Sequence, residues 1–294
     1  MSPLDKVLLR DLWRQKTQVM AIMVVMALGV LILVMMEGLV STLLETKAAY
    51  YERQRFADAY APVVRAPASV VAQVEALEGV KAAEGRLASS AQIHALRRGS
   101  ERLFDDQVAA SVLSLPDFGE PRLNNILIME GRVPSAASAK EVVVLHAFYQ
   151  ALGLALGDEI DLKIQGELHA FTIVGAAMAP EFLYVTAPGE IAPDPKRFAV
   201  LWMAENTLAP LLSMDGAINE ILLDLDRGAD LESVLGMVED TLERYGSLGA
   251  YGRADQPSNR YLSEELIGLQ VSSTVVPPIF LAISAFLLNM VVAR

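Results

Sequence analysis

The sequence predicts an α+β extracytoplasmic domain, a split β-α-β layer plus a small β-rich subdomain, flanked by two transmembrane α-helices. Val19–Met36 is an unbroken apolar run near the start of the chain, and Leu266–Ala293 carries no charged residue. A hydrocarbon core about 30 Å thick is crossed by roughly 20 such residues in a helix. Between these stretches, apolar residues recur with the periods of strands and helices, which indicates a folded α+β domain.

The composition excludes several classes of protein. The chain has 294 residues, is 53% hydrophobic and has a formal net charge of −12. Its mean hydropathy of +0.36 is high for a soluble protein. A surface with this negative charge argues against nucleic-acid binding, which requires concentrated Lys and Arg. The absence of cysteine excludes disulfides, thiolate nucleophiles and cysteine-ligated zinc or iron–sulfur sites.

Four segments follow from these patterns. They are a cytoplasmic amphipathic segment (1–18), a first transmembrane helix (19–44), an extracytoplasmic core domain (45–265) and a second transmembrane helix (266–293). The first apolar run is longer than the roughly 7–15-residue apolar core of a cleaved signal peptide, so we interpret it as a retained span. Membrane lipid is therefore an expected partner of both end segments.

Basic residues determine the predicted orientation. Lys6, Arg10, Arg14 and Lys16 precede the first span in one short segment, whereas the basic residues after the span are mixed with acidic ones. Because positive charge beside a span favours the cytoplasmic side, we expect the N-terminus in the cytoplasm and the large domain outside it.

The first transmembrane helix is expected to continue outward as a stalk through Thr42–Tyr60, until Pro62 breaks the helical pattern. Such a stalk would transmit motion better than a flexible linker. Gly29 permits close contact with another helix inside the membrane. Glu37 is the first charge after the apolar core, and we expect it at a helix end in interfacial water, because a carboxylate in hydrocarbon is costly.

The first part of the domain predicts a helix followed by strands. Ala68–Leu77 places its apolar residues on one helical face, Val80–Leu96 alternates as one or two strands, and Gln107–Leu115 forms a further strand.

The clearest strand patterns fall in the β-rich subdomain, predicted at about 124–175. The predicted strands are Ile126–Met129, Glu141–Leu145, Glu159–Ile164 and Ala170–Val174, with a short helix at His146–Leu152. Gln165-Gly166 has the composition of a two-residue hairpin turn between the last two strands.

The last part of the domain alternates strands and helices. The predicted elements are a strand at Arg197–Met203, a helix at Glu205–Leu212, a strand at Ile218–Leu225 and a helix at Asp230–Tyr245. This order predicts the split β-α-β layer, in which the Ala68–Leu96 section supplies the other half of the same sheet. The second membrane segment starts near Asn259, and Pro277-Pro278 predict a kink or hinge within it.

No residue is predicted to be catalytic, cofactor-binding or metal-binding, and we do not expect an enzyme. The chain has no Gly-Lys-Ser or Gly-Lys-Thr and so lacks the phosphate-binding loop of an ATPase. Gly246–Gly249 lacks the Gly-x-Ser-x-Gly pattern of a serine nucleophile and predicts a turn. The remaining candidates are the separate histidines and adjacent carboxylates, which do not converge in sequence: His94, His146, His169, Asp105-Asp106 and Glu264-Glu265.

Six short motifs occur in a fixed order along the chain. They are Leu9–Arg14, Glu130–Pro134, Glu141–Val144, Leu152–Ile160, Phe171–Gly175 and Ile218–Ile221. Each motif by itself is common in the turns and strands of many proteins. Their order around the two spans resembles that in the FtsX/MacB-type permeases of ABC transporters, including the lipoprotein-releasing branch. The resemblance covers nearly the whole chain.

This resemblance implies a permease subunit of the inner (plasma) membrane with a MacB-like periplasmic core domain. A separate cytoplasmic ABC ATPase subunit would hydrolyse ATP, and a second permease copy or a homologue would be a further partner. Hydrolysis would move the periplasmic domain for export or lipoprotein release. Members of the family carry at least four spans, so we expect this chain to be a fragment or a truncated product that cannot transport alone.

A two-span membrane sensor or receptor with an extracytoplasmic ligand-binding domain is the alternative. A sensor requires a cytoplasmic signalling module after Arg294, whereas a permease requires further apolar segments there. The sequence leaves the substrate open among lipoprotein, lipid, peptide and hydrophobic drug.

Overall fold

Contacts divide the chain into two units. The structure is a computed structural model that describes residues 16–104, 107–138, 140–186 and 193–292. The helical unit comprises Met1–Ala49 and Ser263–Arg294, and the globular unit comprises Tyr50–Leu262. The predicted amphipathic segment at 1–18 lies almost wholly outside the described residues, as does the Asp105-Asp106 pair.

The α-helices of the described residues are α1 (Lys16–Arg53), α2 (Val70–Glu75), α3 (His146–Ala151), α4 (Glu205–Leu211), α5 (Leu231–Leu242) and α6 (Pro257–Val292). The strands are β1 (Ala59–Pro67), β2 (Val80–Arg86), β3 (Ala88–Arg98), β4 (Glu101–Phe104), β5 (Val108–Leu115), β6 (Leu127–Gly131), β7 (Glu141–Leu145), β8 (Glu159–Ile164), β9 (Glu167–Met178), β10 (Phe198–Ala204), β11 (Ala217–Leu225) and β12 (Tyr251–Gly252). Together they confirm the predicted α+β class with apolar helices at both ends.

One layer of the globular unit is a four-stranded sheet in the order β12-β1-β11-β2. Its neighbouring strands are all antiparallel, so β1 and β2 are parallel to each other and enclose β11. Helix α2 connects β1 to β2, and α5 connects β11 to β12. This is the split β-α-β arrangement of a ferredoxin-like fold, which confirms that such a layer is present. Of the Ala68–Leu96 section expected in it, α2 and β2 belong to this layer, whereas β3 lies in the other sheet.

The helices of this layer are held by short apolar side chains. Val70 and Val74 of α2, and Val234 and Val238 of α5, are buried against the sheet in one core cluster. Helix α5 begins at an N-cap, where the Asp230 carboxylate accepts a hydrogen bond from the Ser233 backbone N–H at 3.0 Å.

The β-rich subdomain is inserted between β2 and β11. Its pairings run β3-β5-β10-β7-β9-β8 and return from β8 to β3, so six strands close into a barrel. Strands β4 and β6 extend it at β3 and β9. The barrel is filled by branched side chains such as Ile93, Ile160 and Leu201. Its strands therefore extend beyond the predicted 124–175 on both sides.

The predicted place of the strand near Arg197–Met203 is wrong. We expected it in the same layer as Ile218–Leu225, but β10 pairs in parallel with β5 in the barrel, with Leu201 opposite Val112. Sequence order suggested a continuous strand–helix–strand layer, whereas the chain leaves the barrel only after β10.

The stalk predicted through Tyr60 is also shorter than expected, because α1 ends at Arg53. Arg55 adopts a positive φ of 51°, and the Phe56 N–H donates to the Tyr51 carbonyl at 2.9 Å. These are features of a helix C-cap, so the helix ends before Pro62. Strand β1 then begins at Ala59, opposite Leu223 of β11.

The predicted hairpin turn is confirmed. Gln165 and Gly166 both have positive φ, 51° and 91°, as a two-residue primed turn between β8 and β9 requires. The bounds predicted for β7 and β8 agree with the structure, whereas β9 is longer than the predicted Ala170–Val174.

Candidate functional site

Among the described residues, two helices are long and apolar enough to span a membrane. The membrane-length stretches lie within Met23–Arg53 of α1 and Pro257–Phe286 of α6. In each, only 11% of the most apolar stretch is buried. The core helix of a soluble protein is mostly buried, so these helices expose apolar surface that lipid would cover.

The two helices approach each other closely at Gly29, within the helical unit. A Cβ placed on Gly29 would lie 3.5 Å from Leu281 Cδ2 and 3.6 Å from Phe280 Cβ. A Cβ at these distances would be in ordinary van der Waals contact, so the helices do approach each other at Gly29, but the approach does not require a glycine. Closer to the globular unit, the Lys47 ammonium donates to the Ser263 hydroxyl at 2.8 Å.

Glu37 is not at a helix end, contrary to the prediction. It lies inside α1, which continues to Arg53, and its side chain is exposed on the helix surface. Helix α6 likewise continues through Pro277 and Pro278. The kink or hinge proposed there stays a prediction.

The last turn of α1 is anchored inside the globular unit. Tyr51 is buried in a cluster with Phe56, Tyr60 and Leu222, and its ring lies 4.5 Å from that of Phe56. The Tyr51 hydroxyl donates to Asn259 Oδ1 in the first turns of α6 at 3.1 Å. The terminal turns of the two long helices are therefore joined to each other and to the sheet.

A buried ionic cluster links the sheet to the barrel. Arg86, the last residue of β2, donates to both carboxylate oxygens of Glu181 at 2.7 and 2.5 Å. Its Nε also donates to Glu220 of β11 at 2.6 Å. Glu181 follows β9 of the barrel, and its side chain is 3% exposed. We call these three residues the junction cluster.

Two carboxylates share one guanidinium in this cluster. Burial raises the pKa of Glu181, and the neighbouring Arg86 charge opposes that shift. Both Glu181 oxygens accept hydrogen bonds from Arg86, a geometry that fits the carboxylate form. Because the side chains of the cluster are largely buried, removal of one member leaves an uncompensated charge and costs about 3–5 kcal/mol.

Backbone contacts reinforce the same junction. The Asn219 side chain both accepts from the Ala88 N–H, at 2.8 Å, and donates to the Ala88 carbonyl, at 2.7 Å. Ser114 Oγ accepts from the Leu87 N–H at 2.9 Å. The first residues of the inserted barrel are thus fixed to β11 and to β5.

Part of this junction was visible in the sequence. The motif Ile218–Ile221 contains both Asn219 and Glu220, but its resemblance to other permeases did not reveal what these side chains contact. Arg86 and Glu181 were missed, since no periodicity or spacing relates residues 95 positions apart.

The other polar candidates from the sequence lie apart. His94 is in β3, His146 begins α3 and His169 is in β9, and no group of metal-ligating side chains occurs among the described residues. His146 is partly covered by Tyr149, with ring centroids 6.4 Å apart.

The last two candidates from the sequence are the Glu264-Glu265 pair and the Gly246–Gly249 segment. Glu264-Glu265 are exposed on α6. Gly246 has a φ of 73°, and Ser247 forms a β-bridge with Val63, so Gly246–Gly249 connects two elements through irregular backbone where a turn was predicted.

No protein-family model matches this chain, and no curated protein matches it in sequence. Solved structures do show similarity. The periplasmic region of MacB from Actinobacillus actinomycetemcomitans aligns with a TM-score of 0.41 at 9% identity, over 74% of this chain and 95% of that one. The extracellular domain of the ABC-type transporter YknZ from Gram-positive bacteria aligns with a TM-score of 0.39 at 10% identity, over 67% and 98%.

A domain of a protein described as a permease, from Porphyromonas gingivalis, aligns with a TM-score of 0.34 at 13% identity, over 65% of this chain and 84% of that one. At TM-scores and identities of this size, the similarity by itself assigns neither a family nor an activity to the chain. The second neighbour is a domain of a transporter, and the third is a domain of a protein described as a permease.

Proposed function

We propose that this chain is a non-catalytic permease subunit of an ABC transporter, which couples ATP hydrolysis by a separate ATPase to movement of its globular unit. The observation that carries the proposal is the pair of long apolar helices, α1 and α6. Each continues without a break from a membrane-length apolar stretch to a terminal turn that belongs to the globular unit. The ordered motifs that resemble FtsX/MacB-type permeases support the same function.

The proposed mechanism is mechanical. A cytoplasmic ATPase would displace the membrane ends of the helices, and the helices would carry that displacement outward as stiff rods. Tyr51 and Asn259 join the terminal turns, so the two helices would deliver their motion to one point of the globular unit. The sheet and the barrel would move as one body, because the junction cluster holds them together.

The proposal includes a location and partners. The chain would lie in the inner (plasma) membrane, with its N-terminus in the cytoplasm and the globular unit outside. A second permease copy or a homologue would complete the transporter, and the work performed would be export or lipoprotein release. The basic residues before the first span support this orientation.

A crosslinking experiment tests for the ATPase partner. The chain has no cysteine, so Ser2→Cys places a single photoactivatable maleimide on the segment predicted to be cytoplasmic. We expect crosslinking in native membranes to capture a protein that contains an ABC ATPase signature, identified by mass spectrometry. Phe118→Cys, in the globular unit, is the matched control and should not capture it. Capture of a histidine kinase or another signalling protein by Ser2→Cys would favour a sensor and contradict the proposal.

A second experiment tests mechanical coupling. An insertion of about seven glycine and proline residues after Thr46 interrupts α1, whereas an alanine-rich insertion of the same length adds about two helical turns. In nanodiscs with the captured ATPase, we expect the breaking insertion to abolish ATP-dependent changes in maleimide reactivity at Phe118→Cys while ATP hydrolysis continues. The alanine-rich insertion should retain them. Equal responses from both insertions would contradict rod-like coupling.

A further inference from the structure

A cleft opens in the globular unit beside the junction cluster. It has a volume of about 270 Å³ and is lined by aromatic side chains, the most prominent being Tyr60, Tyr184, Tyr251, Tyr261, Phe182 and Phe198. Ligand pockets span roughly 300–1,000 Å³, so this cleft is sized for a small molecule rather than for a peptide segment.

Four of these six aromatic side chains form two stacked pairs, and Tyr60, in the first pair, is 1% exposed. The rings of Tyr60 and Tyr251 lie 5.2 Å apart at an angle of 11°, and those of Tyr184 and Tyr261 lie 5.1 Å apart at 22°. Tyrosine rings carry negative charge on their faces and attract cations placed within about 6 Å of the ring centroid. Walls of this kind combine an apolar contact surface with a preference for positive charge.

The floor of the cleft is also negative. Arg86, Glu181 and Glu220 line it, and two carboxylates outnumber one guanidinium. Arg86 donates to one oxygen of Glu220 at 2.6 Å, and the second oxygen has no hydrogen-bond partner among the described residues. The field of the cluster reaches the walls, because burial and then the charges of Glu220 and Glu181 raise the pKa of Tyr251 to about 12.

A surplus negative charge on largely buried carboxylates is costly unless a positive group compensates it. A bare metal ion does not suit this cleft, because Arg86 already lies between the carboxylates and no cluster of three or more metal-ligating side chains occurs in the described part of the chain. An organic cation satisfies both features at once, with its charge near the floor and its hydrocarbon part between the tyrosines.

We infer that the cleft binds a small monovalent organic cation with an aromatic or aliphatic body, its ammonium group directed at Glu220 and its apolar part between the two tyrosine pairs. The inference concerns the globular unit alone and holds whether or not the chain acts as a permease.

A pair of isosteric probes tests the charge requirement. Benzyltrimethylammonium carries the proposed cation, and neopentylbenzene has the same shape with carbon in place of the charged nitrogen. Isothermal titration of the full chain in nanodiscs should show saturable binding of benzyltrimethylammonium with one site per chain, and no saturable binding of neopentylbenzene. Equal binding of the two probes, or no binding of the cation, would overturn the proposal.

Matched substitutions test whether the cation binds beside Glu220. Glu220→Gln keeps the size of the side chain and should weaken binding of benzyltrimethylammonium at least tenfold. Glu159→Gln, at an exposed position of β8 outside the cleft, changes the net charge equally and should leave binding unchanged. Cation uptake by the lipid would be non-saturable and insensitive to Glu220→Gln, and that result would also overturn the proposal.

A second variant tests the cleft in case Glu220→Gln does not fold. If circular dichroism shows that Glu220→Gln is unfolded, Tyr261→Leu removes one aromatic face while it keeps an apolar side chain. Tyr261→Leu should also weaken cation binding about tenfold, and wild-type affinity in a folded Tyr261→Leu protein would count against the proposed walls.

Discussion

Replacement of Arg86 by methionine tests the junction cluster. The change removes three hydrogen bonds, two to Glu181 and one to Glu220, and leaves both carboxylates without their shared cation. Loss of one member of a buried ionic cluster costs about 3–5 kcal/mol, since the remaining charge stays in a low-dielectric site. We therefore expect Arg86→Met to lower the free energy of unfolding of the globular unit by that amount.

Arg132→Met is the matched control. Arg132 also forms a two-pronged pair with a glutamate, at 2.6 and 2.8 Å from the oxygens of Glu141, but its side chain is 56% exposed. Water screens this pair, so its loss should cost about 1 kcal/mol or less. The two variants remove similar hydrogen bonds and differ chiefly in burial.

Urea unfolding of the full chain, followed by fluorescence of Trp202, provides the measurement. Trp202 is buried in the barrel, and Trp13→Phe removes the other tryptophan of the chain. Acidification supplies an independent check. Burial raises the pKa of Glu181 in the folded state, and the charge of Arg86 opposes that rise. Without Arg86 the pKa of Glu181 is higher still, so Glu181 takes up a proton as the pH falls and the uncompensated charge is removed. The loss of unfolding free energy caused by Arg86→Met should therefore become smaller at lower pH. Equal costs for both variants, or a deficit that widens on acidification, would refute the reasoning.

Three further predictions concern separate features. Gly131→Ala should destabilise the barrel by about 3 kcal/mol or more in urea unfolding, because a Cβ at its φ of 73° would lie 2.2 Å from the Val174 carbonyl oxygen. Gly153→Ala is the control: Gly153 has a φ of 61° with open space around it, so the same substitution there should cost only about 1–2 kcal/mol. The hydrogen bond from Arg132 lowers the pKa of Glu141 from 4.5 to about 2. The stabilisation by ionised Glu141 is therefore present above pH 4.5 and lost as the pH falls toward 2. Glu141→Gln should lower the free energy of unfolding by about 1 kcal/mol at pH 7, and this difference from the wild type should disappear when unfolding is measured at acid pH. Asp230→Ala should cost about 1 kcal/mol by loss of the α5 N-cap, and Asp230→Asn should restore most of it; equal losses from alanine and asparagine would exclude capping as the cause.

Local patterns in the sequence predicted the elements better than their partners. The valine-rich strand Glu141–Leu145 and the turn at Gln165-Gly166 are set by nearby residues and were predicted correctly. Strand β10 was assigned to the wrong sheet, because its parallel pairing with β5 joins residues far apart in the chain. No local pattern distinguishes an inserted barrel from a continuous layer.

The end of α1 shows another limit of prediction from the sequence. Nothing in the residue types near Arg55 resembles a helix stop, and the helix ends there because Tyr51 and Phe56 pack into the globular unit. The junction cluster was likewise hidden. Arg86 and Glu181 each look like a solvated surface charge in the sequence, and only the fold brings them together in a buried position.

Cysteine labelling of intact spheroplasts tests the central claim most directly, namely that two spans bracket a globular unit outside the cytoplasm. The chain has no native cysteine, and Phe118 is 89% exposed in the globular unit. A membrane-impermeant maleimide should label Phe118→Cys in intact spheroplasts and Ser2→Cys only after permeabilisation. Labelling of Ser2→Cys but not Phe118→Cys before permeabilisation would contradict the account.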